Sequence, residues 1–160
     1  MERLNSVIAA AIFVSMSVFS LQAVAFDEMG EKAYKRCAPC HLPTGKGVPS
    51  AFPPINDRLT GMMGTEEGRH YLVMVVSKGL MGPIDVDGTI FRGVMPALGA
   101  GLKPEEVAAV LNYIAEDLSN TPQDYQSFTV EEVVAIQEAN PKENGRTVHL
   151  MRQTAIESVQ

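Results

Sequence analysis

A chain of 160 residues with a net charge of −6 and 46% hydrophobic residues has the size and composition of one folded domain. The acidic balance excludes nucleic acid as a partner class, because gripping phosphates takes concentrated positive charge. It suits docking against basic surfaces instead.

The first 25 residues read as a secretory signal peptide. Arg3 gives a weak positive start, an apolar run extends from Val7 to Phe19, and Ala23-Val24-Ala25 precedes Phe26 as a small-residue cleavage site. The run is shorter than the ~20 apolar residues of a membrane-spanning helix. Counting it on to Ala25 gives the competing reading, an uncleaved anchor, which Glu2 in the charged start also favours. Cleavage after Ala25 places the mature protein in the periplasm, with no stable membrane insertion and one domain's worth of chain.

Residues 27–40 are expected to form a helix, with Asp27 as N-cap and Met29, Ala33 and Cys37 at four-residue spacing. Residues 41–64 are dense in proline and glycine and predict a loop with room for one short helical turn. Residues 65–78 predict a second helix, capped by Thr65, with Glu66 and Glu67 in its first turn and Gly79 as its stop. A strand is the alternative over Val73–Val76, where β-branched residues cluster. Alternation from Ile84 to Phe91 around Asp87-Gly88 signals a small β-hairpin. Residues 104–118 give the clearest helix: Pro104 opens it, and Val107, Val110, Leu111 and Ile114 form its apolar stripe. One more short helix is expected in the tail, between the Thr129 cap with Glu132 and the Asn140-Pro141 stop. Beyond Lys142 the sequence is polar and weakly patterned, which predicts a partly mobile end. The domain organisation is thus a signal peptide over 1–25, a domain over 26–120 and a C-terminal extension over 121–160.

Both cysteines lie in Cys37-Ala38-Pro39-Cys40, directly followed by His41. A disulfide closing so short a loop would constrain little of the unfolded chain. A thioredoxin-like site calls for a βαβ pattern that this chain lacks, and zinc would need further ligands. CxxCH is the attachment pattern of c-type haem: two thioether bonds hold the porphyrin and His41 faces the iron. The sixth iron position separates electron transfer from small-molecule chemistry. Met95, in Gly93-Val94-Met95-Pro96, is the candidate there. Met62, Met63, Met74 and Met81 compete, and so do His70 and His149 as the second ligand of a bis-histidine site.

From Gly30 to Leu118 the chain resembles the class I (mitochondrial-type) bacterial cytochromes c. Gly30-Glu31-Lys32-Ala33-Tyr34 before Cys37 is similar to that family's first helix, which packs across the last and would set Gly30 and Tyr34 near Tyr113. Gly47-Val48-Pro49-Ser50-Ala51-Phe52-Pro53-Pro54 resembles a loop in which a proline carbonyl accepts the proximal histidine's second ring N–H; Pro54 is the expected acceptor, Pro53 the alternative. Gly79-Leu80-Met81-Gly82-Pro83-Ile84 and Gly93-Val94-Met95-Pro96-Ala97-Leu98 match a subgroup with a hairpin before its axial methionine, which carries Met95 over as iron ligand. Lys103, where the family often has a Ser or Thr cap, and the long tail depart from the pattern. The resemblance implies an all-α class I cytochrome c fold, with helices around one covalent haem c held by Cys37 and Cys40. It implies a non-enzymatic, periplasmic one-electron carrier, with a dehydrogenase as donor and an oxidase or another cytochrome as acceptor. Two other roles compete. One is a dedicated haem subunit of a periplasmic oxidoreductase, such as an alcohol or sulfite dehydrogenase, docked by its acidic tail. The other is an open-site haem sensor or peroxidase-like enzyme, which would need Met95 unligated.

Overall fold

The computed structural model describes residues 26–122 and 124–159; the expected signal peptide lies outside them. The first helix, α1, occupies 26–34, and a turn leads into the short α2, Ala38–His41. Asp27 is already inside α1 rather than capping it. The loop that follows is more helical than its prolines suggest. It ends in a 3-10 turn, Asp57–Leu59, and α3, Thr60–Met63.

The central helix α4, Glu66–Lys78, forms as expected, with Thr65 Oγ1 accepting from the Gly68 N–H at 3.1 Å. Its run from Tyr71 to Ser77 is buried without interruption. A helix apolar on every side must lie inside the molecule, and α4 packs against α3, α5, α6 and α7. Val73–Val76 therefore reads as helix despite its β-branching: the cap and the Gly79 stop define a helical frame that tertiary burial then fills.

After α4 the chain forms a two-tiered ribbon. β1, Leu80–Met81, pairs with β4, Val94–Met95, with Leu80 opposite Met95. Nested between them, β2, Ile84–Val86, pairs with β3, Thr89–Phe91. Asp87 and Gly88 at the tip both have positive φ, 52° and 79°, which is what a two-residue hairpin turn requires. Asp85 Oδ1 accepts the Gly88 N–H at 2.7 Å and closes it. A 3-10 turn, Leu98–Gly101, leads to α5, Pro104–Glu116, where Glu106 replaces the missing Ser/Thr cap by accepting the Lys103 N–H at 2.9 Å.

α1 crosses α5 where Gly30 lies. A Cβ there would sit 2.5 Å from the Ala109 carbonyl oxygen and 2.8 Å from Tyr113 Cβ. The Tyr34 and Tyr113 rings meet at 5.4 Å between centroids, within the favourable range for aromatic pairs. The helix crossing implied by the resemblance is therefore present.

The extension is where the structure departs most from expectation. It holds two helices, not one: α6, Val130–Ala139, and α7, Gly145–Glu157. Phe128, Val133, Val148 and Ala155 are all at most 2% exposed and belong to the same core as α4 and α5. Asn144 caps α7 by accepting from the Arg146 N–H at 3.0 Å. Val148, Met151 and Ala155 place apolar groups on one face, which packs against α4 and β1. Residues past Lys142 are thus an ordered helix rather than a mobile end. Among the described residues no helix is long and apolar enough to cross a membrane.

Candidate functional site

α2 presents the Cys37–His41 motif to the interior. Cys37 is buried, Cys40 half-buried, and the two are separate thiols rather than a disulfide. Burial, reinforced by the neighbouring Cys40, pushes the Cys37 thiol up to about 11. His41 is 8% exposed. Its Nδ1–H donates to the Pro53 carbonyl at 2.8 Å, which fixes the tautomer and leaves Nε2 with its lone pair free. Burial holds the imidazole below its ordinary pKa, against the opposite pull of that bond. The ring is thus neutral, the form that binds a metal.

The acceptor corrects the expectation of Pro54. The loop pinches at Val48 and Phe52, whose backbone bonds in both directions measure 2.8 and 2.9 Å. Gly47, at φ 66°, lies under the pinch, where a Cβ would stand 2.6 Å from the Pro53 carbonyl carbon and oxygen. That close approach aims Pro53, not Pro54, at His41; Pro54 lines the cavity wall instead.

Two lobes of one cleft open beside the motif. Cys37, His41, Pro53, Leu80, Ile84 and Met95 border both. The larger lobe encloses about 1180 Å³ of empty space with its mouth included, between walls from α4 and α5: Leu72, Val75, Val76, Leu111 and Ile114. Two free thiols, a neutral imidazole and a deep apolar slot are the donor set and the walls that a covalently held, flat macrocycle requires. The residues present fit haem c.

Met95, half-buried on β4, borders both lobes. Met63 and Met74 are locked in the core at 1% and 0% exposure, and Met81 is 42% exposed. Met62 on α3 is the other methionine at the cleft wall. Neither His70 nor His149 lines the cleft. The His149 Nε2–H donates to the Pro83 carbonyl at 2.7 Å, and His70 sits on α4 with Nε2 buried and unpartnered. The structure thus brings Cys37, Cys40, His41 and Met95 together and keeps both alternative histidines away.

Sequence reasoning missed the contact that Gly79 makes, reading it as a helix stop and as the start of the stretch before the hairpin. At φ 75°, ψ −172°, Gly79 presses on the Met95 carbonyl, and a Cβ there would stand 2.9 Å from Ala97 N. It also missed Tyr71, Arg58, Arg152 and Ile156 at the cleft wall. For α7 a signal existed: Asn144 before a Val148, Met151, Ala155 stripe.

Residues 28–116 match the family model described as cytochrome c. The chain is also similar to cytochrome c-552 of Thermus thermophilus, 43% identical over 106 residues that span 65% of this chain and 80% of the relative. A second cytochrome c-552, from a named strain of the same species, is 43% identical over 106 residues and is covered to 71%.

Proposed function

Since the chain belongs to the cytochrome c family, we propose that this electron-transfer protein shuttles single electrons in the periplasm, between a dehydrogenase and a terminal acceptor, with His41 and Met95 as its iron ligands. Covalent haem c, attached through Cys37 and Cys40, supplies the one-electron couple when bound. The rest is the work of this chain's residues. Pro53 orients His41 and raises its basicity as a ligand. The apolar walls exclude water and lower the local dielectric. Pro96 stiffens the chain just after Met95 and removes a competing N–H.

The observation that carries this reading is that Met95 lines both lobes of the cleft together with Cys37 and His41. A methionine sixth ligand raises the potential and leaves the iron no vacant position for small molecules, which disfavours a sensor or peroxidase role. The subunit alternative was motivated by the tail as a docking arm. Phe128, Val133, Val148 and Ala155 of the tail are buried in the chain's own core, so the tail is packed on the domain rather than free as an arm, which weakens that motive.

The test is optical. The reduced holoprotein is expected to show a low-spin c-type spectrum, and the oxidised form a sulfur-to-iron band in the far red that disappears in Met95→Ala but persists in Met62→Ala. A high-spin wild type whose spectrum shifts with carbon monoxide would refute the six-coordinate shuttle.

A further inference from the structure

The polar groups on the wall of the larger lobe form one linked cluster. Arg58 of the 57–59 turn, Tyr71 of α4, Asp85 and Asp87 of the hairpin and Arg152 of α7 all border it. Arg58 donates to Asp87 at 2.7 Å, and Arg152 Nη2 donates to the Asp85 carbonyl at 2.7 Å. The charge of Arg152 also acts on the Tyr71 hydroxyl, which burial pushes up to about 12.

The charges in this cluster do not balance. Arg58 and Asp87 neutralise one another, both half exposed. The Asp85 carboxylate is committed to the hairpin turn through the Gly88 N–H. His149, one turn before Arg152 on α7, is held by the Pro83 carbonyl. Among the described residues no carboxylate forms an ion pair with Arg152. Arg152 is therefore a half-buried cation at the wall of an apolar cleft, with one of its five N–H donors used on a backbone carbonyl. A half-buried cation without a counter-charge at an apolar wall attracts an anion more strongly than one in open water, so the geometry favours an anion from the occupant of the cleft.

The porphyrin of haem c carries two propionate carboxylates, which an otherwise apolar slot would leave unpaired. We propose that Arg152 supplies the counter-charge for one of them, with the Tyr71 hydroxyl as a second donor, so that the C-terminal helix is part of the haem site. The proposal rests on the haem reading of the cleft. It goes beyond the family resemblance because Arg152 lies outside residues 28–116, the span the family model matches. It gives α7 a role besides packing: the extension brings in a fixed positive charge that favours the reduced state.

The experiment is a redox titration of holoprotein from pH 5 to 9, for wild type, Arg152→Gln, Arg152→Lys and Tyr71→Phe. A c-type spectrum in the wild type is read first, and its absence would overturn the haem reading itself. With haem in place, Arg152→Gln is expected to lower the reduced-to-oxidised ratio at fixed ambient potential by roughly three- to tenfold, tenfold being 59 mV for one electron. The pH at which its potential bends should move upward, because a propionate deprived of its cation is harder to ionise. Arg152→Lys keeps the charge and should retain most of the wild-type profile. Tyr71→Phe removes one hydroxyl and leaves the α7–hairpin contact in place, and its bend should move in the same direction. An Arg152→Gln profile that overlays the wild type overturns the proposal. If Arg152→Gln yields no holoprotein, unmoved bends in both Arg152→Lys and Tyr71→Phe overturn it equally.

Discussion

Asn112 offers the sharpest test of how the extension is fastened. It is 6% exposed on α5, and its side chain serves three groups beyond residue 120. The amide oxygen accepts from Phe128 N at 2.7 Å and from the Tyr125 hydroxyl at 2.8 Å, while Nδ2 donates to the Phe128 carbonyl at 3.0 Å. In Asn112→Ala, Tyr125 can turn its hydroxyl to water. Phe128 is 2% exposed, so its N–H and C=O lose their partners where water cannot replace them. Leaving a buried polar group unsatisfied costs about 1–3 kcal/mol, so two such groups put the loss at roughly 2–6 kcal/mol. Domains of this kind have only about 5–15 kcal/mol in total. The assay is guanidinium unfolding of the holoprotein followed by circular dichroism, read as a fall in midpoint at constant slope. Native-state hydrogen exchange should also show the Phe128 amide, slow in the wild type, becoming fast. A midpoint equivalent to less than about 0.5 kcal/mol of change, with the Phe128 amide still protected, would refute the claim that Asn112 fastens the extension.

Gly79→Ala should loosen the sixth ligand, because its Cβ collides with the Met95 carbonyl. We expect a weakened far-red band, some carbon monoxide binding and a stability loss of about 1–3 kcal/mol. Asp57 tests pH dependence. Its carboxylate accepts the backbone and side-chain N–H groups of Asn120 at 2.7 and 2.9 Å, which hold its pKa below the ordinary value. The stability this gives is present above the unfolded carboxylate pKa and is lost as pH falls through the lowered folded one. The fall in melting temperature between pH 5 and pH 2 should thus be shallower in Asp57→Asn than in wild type. Val148→Asp places a charge at a position 0% exposed between α7 and α4. Trypsin should then cut at Lys142 and Arg146 faster than in the wild type.

The haem motif, the hairpin and the helices over 65–78 and 104–118 were legible because each rests on local chemistry. CxxCH is a covalent pattern, Asp87-Gly88 meets a φ requirement, and Thr65 and Pro104 mark helix starts. The β1–β4 pairing was not legible, since two-residue strands carry no periodicity and their partners are separated in sequence by the whole inner hairpin. α7 was obscured by its composition: Arg146, His149, Arg152 and Gln153 make the segment read as polar, and its core-facing stripe is only Val148, Met151 and Ala155. The choice of Pro53 over Pro54 depended on the pinch between Val48 and Phe52, a contact within one loop that neighbouring prolines do not encode.

The two candidate iron ligands are supported by one device at the cleft wall. On the His41 side, the Pro53 carbonyl rests on Gly47 at φ 66°; on the Met95 side, the Met95 carbonyl rests on Gly79 at φ 75°. Neither glycine can take a Cβ without displacing the backbone that aims the ligand. Both conformations lie where other residues are strained. The helices could tolerate drift at either position, since Gly79 already ends α4 and Gly47 belongs to no helix. These glycines therefore make more sense as part of the site than of the fold. A site whose ligands are held by backbone contact rather than by mobile side chains keeps its geometry when the iron changes charge, and that is the property a carrier of single electrons needs.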